Sequence, residues 1–364
     1  MARRNHHPQW WCAKLVRSWP ERKGTQLNHC SFMAEAPKIS IIIPAYNVAP
    51  YLGETLDSVL AQTRDDYEIV LVNDGSTDET AQVVERYRDR FAGKLVYVWQ
   101  ENRGLAAARN TAIRTARGQY IALLDGDDVW LPAYLATMLG LFEADPTLDL
   151  AFPNAIFWGS PQYDGKNFQA VFPPNPPITM EKILGRESSV FGLATLRREL
   201  VLAVGGYDEA LRASEDFDLW LRLLKRGSKF GYATEPLVKY RFRADSLSNT
   251  GITHYRNRLK VLEKVLQAID VTPAERTIAE REEAESAAML NWHLYRDKLQ
   301  AQDYVGAAEH LALANAHRHK LKWSLVQVGL KFAPQFTARF LVSTMGNGQS
   351  VVKNNGHHNG HSSS

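Results

Sequence analysis

Three stretches of the chain decide the fold, and each is an apolar run that ends in polar residues. Residues 39–47 read ISIIIPAYN, residues 67–78 read YEIVLVNDGSTD, and residues 120–128 read YIALLDGDD. The apolar part of each stretch predicts a buried strand, at 39–43, 67–72 and 120–124. The polar parts therefore predict three loops that directly follow strands.

Strand and helix patterns alternate from the first of these stretches onward. A further strand is predicted at 94–99, and helices are predicted at 51–62, 77–91 and 105–116. Such alternation indicates an α/β fold with a mostly parallel sheet covered by helices. Ligands bind at the carboxyl ends of the strands in such sheets, so the polar loops are the places to look for chemistry.

The composition is that of a folded protein with a sizeable core. Of the 364 residues, 45% are apolar and 23% are charged, which excludes a disordered chain. The formal charge of +3 is concentrated in the first 33 residues, where six basic residues face one acidic residue. The rest of the chain is nearly neutral, so we expect no nucleic-acid partner.

The two cysteines, Cys12 and Cys30, both precede residue 34. Their position excludes a disulfide scaffold and a cysteine zinc cage in the body of the chain, and it favours a reducing compartment. No run approaches the roughly 18 to 20 apolar residues that a membrane span needs. We therefore expect a soluble protein in the cytoplasm.

The chain divides into four parts by composition. Residues 1–35 are a basic extension without a helical or alternating pattern, and we expect them to be disordered. Residues 36–250 form the predicted α/β domain. Residues 251–345 are rich in Ala, Glu, Leu, Arg and Lys at helical spacing, and Thr272-Pro273 is a typical helix start. Residues 346–364 are rich in Gly, Asn, His and Ser, so we expect a disordered tail.

The first two loops each have a plain structural interpretation. Pro44-Ala45-Tyr46-Asn47 reads as a strand end that a proline terminates. In the second loop, Ser76 and Glu79 predict a capping box for the next helix. That box leaves Asp74 unexplained, and a carboxylate at a strand end can accept hydrogen bonds from a nucleotide base or ribose.

The third loop, residues 125–128, places three aspartates within four residues. Asp125, Asp127 and Asp128 repel one another when ionised, so they need a cation or solvent. Oxygen ligands of this kind suit Mg²⁺ or Mn²⁺, which proteins hold with one or two carboxylates together with substrate phosphates. A plain acidic turn explains the cluster equally well.

Acidic residues also open an amphipathic helix that is predicted from Ser214 onward. Glu215, Asp216 and Asp218 would complement the helix dipole behind a serine N-cap. Alternatively, one of them acts as a general base. The sequence does not separate these two interpretations.

Taken together, these motifs resemble the inverting glycosyltransferases of family 2, which have the GT-A fold. The matching motifs, in chain order, are 41–47 (IIIPAYN), 68–78 (EIVLVNDGSTD), 102–104 (NRG), 108–110 (ARN), 125–128 (DGDD), 205–208 (GGYD) and 215–216 (ED). The resemblance covers residues 39–245. It implies a Rossmann-like mixed sheet with helices on both faces, divided into a nucleotide-binding half at 36–130 and an acceptor half at 131–250, with the helical region as a C-terminal extension.

The resemblance implies a nucleotide-binding set, a metal ligand and a catalytic base. The nucleotide-binding set is Pro44, Ala45, Tyr46, Asn47, Asp74, Arg103 and Asp125. Within it, Tyr46 would lie against the base, Asp74 would bond the base, and Asp125 would lie near the ribose. Asp127 would hold the divalent metal, Mn²⁺ or Mg²⁺, that bridges the diphosphate, and Asp216 would be the catalytic base.

The implied reaction moves one sugar from a nucleotide-diphosphate sugar, a UDP-sugar in the first instance, to an acceptor hydroxyl. The Gln-x-x-Arg-Trp motif and the membrane spans of the processive synthases of this family are missing, which favours single transfers. The acceptor would be a glycan of the cell envelope, a polysaccharide, a lipopolysaccharide or a lipid-linked glycan, met at the inner face of a membrane. The apolar segment 321–342, with Lys322, Lys331 and Arg339, could lie on that surface, but a core helix is about twice as well supported.

One motif departs from the family pattern. Many relatives read Tyr-Arg-x-His after the base, whereas this chain reads Tyr240-Arg241-Phe242-Arg243. Arginine cannot coordinate a metal, so either the metal keeps more waters or Arg243 pairs with the diphosphate. A strand whose solvent face carries both arginines is an equally good interpretation. We therefore predict no third metal ligand.

Two other functions compete with sugar transfer. Nucleotidyl transfer to a sugar phosphate uses a similar sheet and metal, but its Gly-x-Gly-Thr-Arg loop is missing, and residues 44–47 stand in its place. A noncatalytic nucleotide-sugar-binding protein would keep Asp74 and Asp127 without turnover. No GxGxxG or GxxxxGK[ST] motif follows a strand, which excludes dehydrogenases and P-loop enzymes.

Overall fold

The computed structural model describes residues 37–243 and 251–338. The expectations for residues 1–35 and 346–364 lie outside these residues, as does Arg339. Within the described residues the chain has an α/β fold, in which one sheet is covered by helices and further helices follow it.

The sheet has eight strands in the described part of the chain. They are β1 (Ile39–Ala45), β2 (Tyr67–Asp74), β3 (Leu95–Gln100), β4 (Tyr120–Leu123), β5 (Val129–Trp130), β6 (Leu150–Trp158), β7 (Thr195–Arg197) and β8 (Phe230–Arg241). Their order across the sheet is β3-β2-β1-β4-β7-β6-β8-β5. The pairs among β3, β2, β1 and β4 are parallel, as is β6 with β8, whereas β7 and β5 pair antiparallel with their neighbours. The predicted mixed α/β sheet is confirmed.

Helices connect the strands and continue beyond them. They are α1 (Ala49–Leu60), α2 (Thr80–Tyr87), α3 (Leu105–Thr115), α4 (Tyr134–Ala144), α5 (Phe168–Val171), α6 (Met180–Leu184), α7 (Arg198–Ala203), α8 (Glu215–Lys225), α9 (Gly251–Gln267), α10 (Pro273–Gln300), α11 (Tyr304–Arg318) and α12 (Leu321–Phe332). The helix predicted at 77–91 is shorter than expected, because α2 ends at Tyr87 and a 3₁₀ turn, Asp89–Phe91, follows it.

The first two strands are buried along their whole length. Helices cover a parallel sheet of this kind on its faces, so its strands read as continuous apolar runs and do not alternate with polar residues. The isoleucines of β1 are fully buried in the same cluster as α1 and α3. This burial explains why the apolar runs predicted the strands.

The first two strands extend further than their apolar runs. β1 ends at Ala45 and β2 ends at Asp74, and Ala45 pairs with Asn73. Pro44, Ala45 and Asp74, which we predicted in loops, are therefore strand residues. The hydrogen-bonded ladder fixes the backbone of Asp74 at the edge where the strands end.

The capping box predicted for Ser76 and Glu79 is wrong. Glu79 is the N-cap of α2, and its side chain makes no capping hydrogen bond. Ser76 Oγ instead accepts a hydrogen bond from the Asn47 backbone N–H at 3.0 Å. Asp78 Oδ2 accepts one from the Ala49 N–H, in the first turn of α1, at 3.0 Å. The loop after β2 therefore caps the helix that follows β1.

The C-terminal helices pack in two groups. The Thr272 side chain caps α10, and Glu275 completes the capping box, so the predicted helix start is confirmed. Val261 of α9 and Ala279 of α10 belong to the same buried cluster as the sheet. The end of α10 packs with α11 and α12 around Tyr295 in a second cluster. Part of the helical region thus shares the core of the sheet.

Helix α12 is not the core helix expected for 321–342. Leu330 is its one buried residue, whereas Leu321, Leu325, Val328 and Phe332 are exposed. These positions recur at intervals of three or four, so they lie on one face of the helix. Over residues 37–243 and 251–338, no helix combines the length and the apolar character that crossing a membrane requires.

We predict that Gly118→Ala destabilises the fold and that Gly140→Ala stabilises it. A Cβ atom at Gly118 would lie 2.6 Å from the backbone nitrogen of Ser40 in β1, where close packing leaves no space for it. A Cβ atom at Gly140, within α4, would meet nothing within 4 Å. Urea unfolding should show a loss of about 2 kcal/mol or more for the first variant and a gain of about 0.5–1 kcal/mol for the second. Equal stabilities would contradict the close approach at Gly118.

Candidate functional site

The carboxyl ends of β1, β2 and β4 lie side by side at one edge of the sheet. β1 pairs in parallel with β2 on one side and with β4 on the other. The last residues of these strands, Ala45, Asp74 and Leu123, therefore bring the three predicted polar loops together. This edge is where open α/β sheets bind their ligands.

Asn47 ties the first loop to the second. Its Oδ1 accepts a hydrogen bond from the Thr77 backbone N–H at 2.8 Å, and its φ of 51° is a left-handed conformation that asparagine tolerates. The neighbouring Tyr46 is 50% exposed, whereas Pro44 and Ala45 are buried. Of the residues predicted for the nucleoside pocket on this loop, Tyr46 is the one that presents a broad ring to solvent.

Asp74 holds the loop that begins α3. Its Oδ1 accepts hydrogen bonds from Gln100 Nε2 at 2.6 Å and from the Arg103 N–H at 3.0 Å, and its Oδ2 accepts one from the Gly104 N–H at 2.8 Å. The residue is 3% exposed. Its first role is therefore structural, and no pattern in the sequence indicates its partner Gln100. The Arg103 side chain itself is exposed and pairs with Glu209.

The first and second aspartates of the acidic loop each pair with an arginine. Asp125 Oδ1 lies 2.8 Å from Arg109 Nη2, and Asp127 Oδ2 lies 3.2 Å from Arg243 Nη1. Burial and the charge of Asp125 raise the pKa of Asp127, and the charge of Arg243 opposes that rise. A further cation beside Asp127 would stabilise its ionised form.

Asp128, the third aspartate, is buried and anchors the loop. Its Oδ1 accepts a hydrogen bond from the Arg241 backbone N–H at 2.7 Å, and its Oδ2 has no hydrogen-bond partner among the described residues. Burial and the neighbouring aspartates raise the pKa of Asp128 well above its ordinary range. Gly126 permits this packing, since a Cβ atom there would lie 3.2 Å from the Pro44 carbonyl oxygen. The loop is packed into the fold and is not a solvated turn.

Arg241 and Arg243 do not form a charged solvent face. Their side chains are 14% and 16% exposed, and both guanidinium groups lie about 5 Å from the Tyr51 ring centroid, at 5.0 and 4.9 Å. Arg241 Nε donates a hydrogen bond to the Asp127 carbonyl oxygen at 2.7 Å. The interpretation of this strand as an alternating surface strand is therefore wrong, because both arginines turn toward the acidic loop.

Asp125 and Asp127 of the acidic loop both have partly exposed carboxylates, and the Asp125 side chain is 27% exposed. Among the residues that the structure describes, no three His, Cys, Asp or Glu side chains converge into a metal-binding group. The Asp127 side chain is 23% exposed. Proteins often supply only one or two carboxylates to Mg²⁺, since waters and substrate phosphates provide the remaining ligands. The residues present fit a divalent metal that a substrate completes.

Arg109 joins the acidic loop to helix α8. Its Nη2 lies 2.8 Å from Asp125 Oδ1, and its Nη1 lies 2.8 Å from Glu215 Oε1. The Arg109 side chain is 4% exposed, so the three groups form a buried ion triad. Two carboxylates here offset the desolvation of one guanidinium group. The two partners lie 16 and 106 residues away along the chain, so no local pattern in the sequence indicates the bridge.

The three acids at the start of α8 have different surroundings. Glu215 is buried in the triad with Arg109. Asp218 is buried and pairs with Arg222 and Lys264. Asp216 is half-buried and pairs with no basic side chain among the residues described. Of the three acids, Asp216 is therefore the one available for proton transfer.

Ser214 is the N-cap residue of α8, as predicted, but its side chain makes no capping hydrogen bond. Ser214 has a φ of 60°, and its Oγ is buried without a hydrogen-bond partner in the described part of the chain. Gly192 lies beside the next acid, since a Cβ atom at this position would be 3.1 Å from Asp216 Oδ2. The missing side chain of Gly192 leaves space next to that oxygen, and an incoming hydroxyl needs such space to reach a base.

Comparison with known proteins identifies the family. A family model described as glycosyl transferase family 2 matches residues 40–201, and one described as glycosyltransferase like family 2 matches residues 179–310. An uncharacterized glycosyltransferase of Rickettsia prowazekii (strain Madrid E) is 32% identical over 227 residues, which cover 60% of this chain and 68% of the relative. The chain belongs to glycosyltransferase family 2. It is a glycosyltransferase, as the sequence motifs predicted.

Further similarities support the fold of this family 2 glycosyltransferase. The putative teichuronic acid biosynthesis glycosyltransferase TuaG of Bacillus subtilis is 29% identical over 213 residues, covering 58% of this chain and 82% of the relative. The structure of S. aureus TarS 1–349 in complex with UDP-GlcNAc matches with a TM-score of 0.56 at 19% identity, covering 86% of this chain and 93% of that chain. The mannosyltransferase PcManGT from Pyrobaculum calidifontis, in complex with GDP-Man and Mn²⁺, matches with a TM-score of 0.56 at 24% identity, covering 86% and 85%. The expected GT-A fold is confirmed.

We predict that Glu215→Gln changes the pH dependence of folding stability. Burial raises the pKa of Glu215 from its ordinary 4.5 to about 7, although the charge of Arg109 opposes the shift. A raised folded-state pKa gives stability that is complete below pH 4.5 and is lost as the pH rises toward 7. The free energy of unfolding of the wild type should therefore fall by up to about 3 kcal/mol relative to the glutamine variant over this window.

Denaturant unfolding at a series of pH values measures this difference. Glu199→Gln, an exposed acid-to-amide change on α7, is the control and should leave the pH profile of the wild type unchanged. A stability difference between the wild type and Glu215→Gln that stays constant from pH 4.5 to 7 would contradict the raised pKa.

Proposed function

We propose that this glycosyltransferase moves one sugar from a nucleoside-diphosphate sugar, a UDP-sugar in the first instance, to an acceptor hydroxyl with inversion at the anomeric carbon. The single observation that carries the proposal is the Arg109 bridge. One guanidinium group contacts both Asp125 of the acidic loop and Glu215, the neighbour of Asp216. The groups proposed for the donor and the group proposed as base therefore lie next to the two ends of one ion bridge.

The donor side is built on the ends of β1, β2 and β4. Tyr46 would stack on the base, and Asp74 would contact the base through the loop that it already orders. Asp125 would bond the ribose. The remaining members of the proposed nucleotide site are Pro44, Ala45, Asn47 and Arg103. Support for a nucleotide-sugar donor also comes from the UDP-GlcNAc of TarS and the GDP-Man of PcManGT.

Asp127 is the proposed ligand of a divalent metal, Mn²⁺ or Mg²⁺. A bound metal of this kind stabilises the charge that develops on a diphosphate leaving group. Arg243, beside Asp127, would pair with the same diphosphate as guanidinium groups commonly do. The Mn²⁺ of PcManGT supports a metal for this family member.

Asp216 is the proposed general base. It would accept the proton of the acceptor hydroxyl while the hydroxyl oxygen bonds the anomeric carbon and the bond to the diphosphate oxygen breaks. The leaving group departs on the opposite face of the sugar, so the configuration inverts. A positioned base of this kind contributes about 10² to 10⁴ in rate.

The proposed acceptor is a glycan of the cell envelope, reached from the cytoplasm at the inner face of a membrane. TuaG is named for teichuronic acid biosynthesis, which supports this class of acceptor. The apolar face of α12 supports peripheral membrane contact, since Lys320, Lys322 and Lys331 accompany it and residues 310–338 contain no Asp or Glu. The alternative of nucleotidyl transfer to a sugar phosphate has no support from the family. A noncatalytic binder would be recognised by the test of Asp216 described below.

We predict that Asp127→Ala removes the metal dependence of nucleotide binding. Calorimetric titration of UDP and of GDP with Mn²⁺ and with EDTA should show at least about tenfold tighter binding with Mn²⁺ for the wild type. The variant should bind equally weakly in both buffers, because it lacks the metal carboxylate. Asp65→Ala, which removes an exposed aspartate, should behave as the wild type does. A gain with Mn²⁺ that survives in Asp127→Ala would exclude Asp127 as the ligand.

We predict that Asp216→Asn lowers kcat by about 10² to 10⁴ while nucleotide affinity stays close to that of the wild type. Transfer and donor hydrolysis are measured over a panel of UDP-, GDP- and dTDP-sugars with Mn²⁺. Asp218→Asn is the matched control from the same turn of α8. It should lower the stability of the fold, since it breaks a buried ion pair, but folded protein should retain its kcat. Undiminished turnover by Asp216→Asn would exclude it as base, and a wild type without turnover on any donor would favour a noncatalytic binder.

A further inference from the structure

Three arginines share one glutamate, Glu282 of α10. Arg186 Nε lies 2.8 Å from Glu282 Oε2, Arg281 Nη2 lies 3.4 Å from Glu282 Oε1, and Arg258 Nη2 lies 3.5 Å from Glu282 Oε2. We call Arg186, Arg258 and Arg281 the arginine cluster. They come from the loop after α6, from α9 and from α10, so tertiary packing assembles them. One carboxylate compensates one of three positive charges.

Arg258 is buried and poorly bonded. The residue is 8% exposed, and its Nε has no hydrogen-bond partner among the described residues. Its hydrogen bonds, from Nη2 to the Leu184 carbonyl oxygen and to Glu282, are long at 3.4 and 3.5 Å. Burial and the charge of Arg186 lower the pKa of Arg258 to about 10. A buried guanidinium group in this state is stabilised by an added anion.

The neighbouring Glu187 does not neutralise the net positive charge of the arginine cluster. A Cβ atom at Gly185 would lie 3.2 Å from Arg281 Nη2 and 3.4 Å from Glu187 Oε1. The exposed Glu187 therefore lies close to Arg281. It therefore offsets the charge at the outer rim. Among the described residues, Glu282 is the one carboxylate that forms an ion pair with Arg186 and Arg258.

The arginine cluster contacts the residue that follows the proposed base. The Arg258 guanidinium carbon is 4.4 Å from the ring centroid of Phe217, the residue after Asp216. Burial and the charge of Arg258 lower the pKa of His254, and the charge of Asp216 opposes this shift, so His254 lies within electrostatic reach of both. Glu215, the residue before Asp216, contacts the donor side through its bridge. The two chain neighbours of Asp216 thus have different contacts, Glu215 with Arg109 and Phe217 with Arg258.

We propose that the arginine cluster binds a phosphate group of the acceptor, and that this enzyme glycosylates an acceptor with a phosphate next to the reacting hydroxyl. The proposal deepens the proposed function and rests on Asp216 as base. Guanidinium groups form paired hydrogen bonds with phosphate oxygens, and a phosphate group would supply the charge and the acceptor atoms that Arg258 lacks. Two sources fit this chemistry, a phosphodiester within a glycan chain and the diphosphate of a lipid-linked glycan.

Titration of inorganic phosphate, followed by ³¹P NMR in EDTA at constant ionic strength, tests the site. Arg186→Gln should weaken phosphate binding about fivefold or more, because it removes a partly exposed charge of the cluster. Glu282→Gln should tighten phosphate binding, since it removes the competing carboxylate. Arg276→Gln, an exposed change of the same kind on α10, should leave the affinity unchanged. The opposite shifts of the first two variants distinguish a phosphate site from general destabilisation.

Phosphate binding that is the same in the wild type and Arg186→Gln, or that UDP displaces in EDTA, would overturn the proposal. The titration uses no donor and no metal, so its outcome is independent of the tests of Asp127 and Asp216. Dimethyl phosphate and methyl diphosphate then distinguish the two sources. Binding of dimethyl phosphate supports a phosphodiester within a glycan, and binding of methyl diphosphate alone supports a lipid-linked diphosphate.

Discussion

The buried ion triad of Arg109, Asp125 and Glu215 is the interaction on which the site depends. Removing a guanidinium group from water is costly, and that cost is offset only while both carboxylates keep their positions. The triad therefore fixes the acidic loop after β4 relative to the start of α8. Asp127 follows Asp125 by two residues, and Asp216 follows Glu215 by one. The ion pairs of Arg109 therefore set the distance between Asp127 and Asp216, although neither of them contacts Arg109.

Polar side chains also hold neighbouring loops in place at the ends of β1 and β2. Asp74, Asn47 and Asp78 each accept backbone hydrogen bonds from a different loop. Buried backbone groups need such partners, and here the partners lie where the strands end. These hydrogen bonds hold the loops at the strand ends without a ligand. A nucleotide would therefore not have to order the loops on binding, and less conformational entropy would be lost.

The sequence predicted what depends on short-range patterns and missed what depends on distant partners. Apolar runs located β1, β2 and β4, because burial of a parallel strand makes its whole length apolar. The start of α2 was misjudged because Ser76 bonds Asn47, 29 residues earlier. The roles of Glu215, Asp216 and Asp218 were inseparable for the same reason, since Arg109 lies 106 residues before Glu215, and Lys264 lies 46 residues after Asp218.

The charge of the chain conceals two local imbalances of opposite sign. At the acidic loop, three aspartates lie within four residues, the pKa values of Asp127 and Asp128 are raised, and a cation would relieve the repulsion. At the arginine cluster, three arginines surround one glutamate, and an anion would relieve the repulsion between their charges. Each imbalance disfavours the free protein, and a ligand of the opposite charge would relieve it. Most of the residues proposed for the donor belong to the short motifs that end at Asp216, whereas Arg258, Arg281 and Glu282 lie on α9 and α10, within residues 179–310 matched by the second family model. If both proposals hold, the donor site is recognisable from local motifs, and acceptor binding depends on how α9 and α10 pack against the sheet.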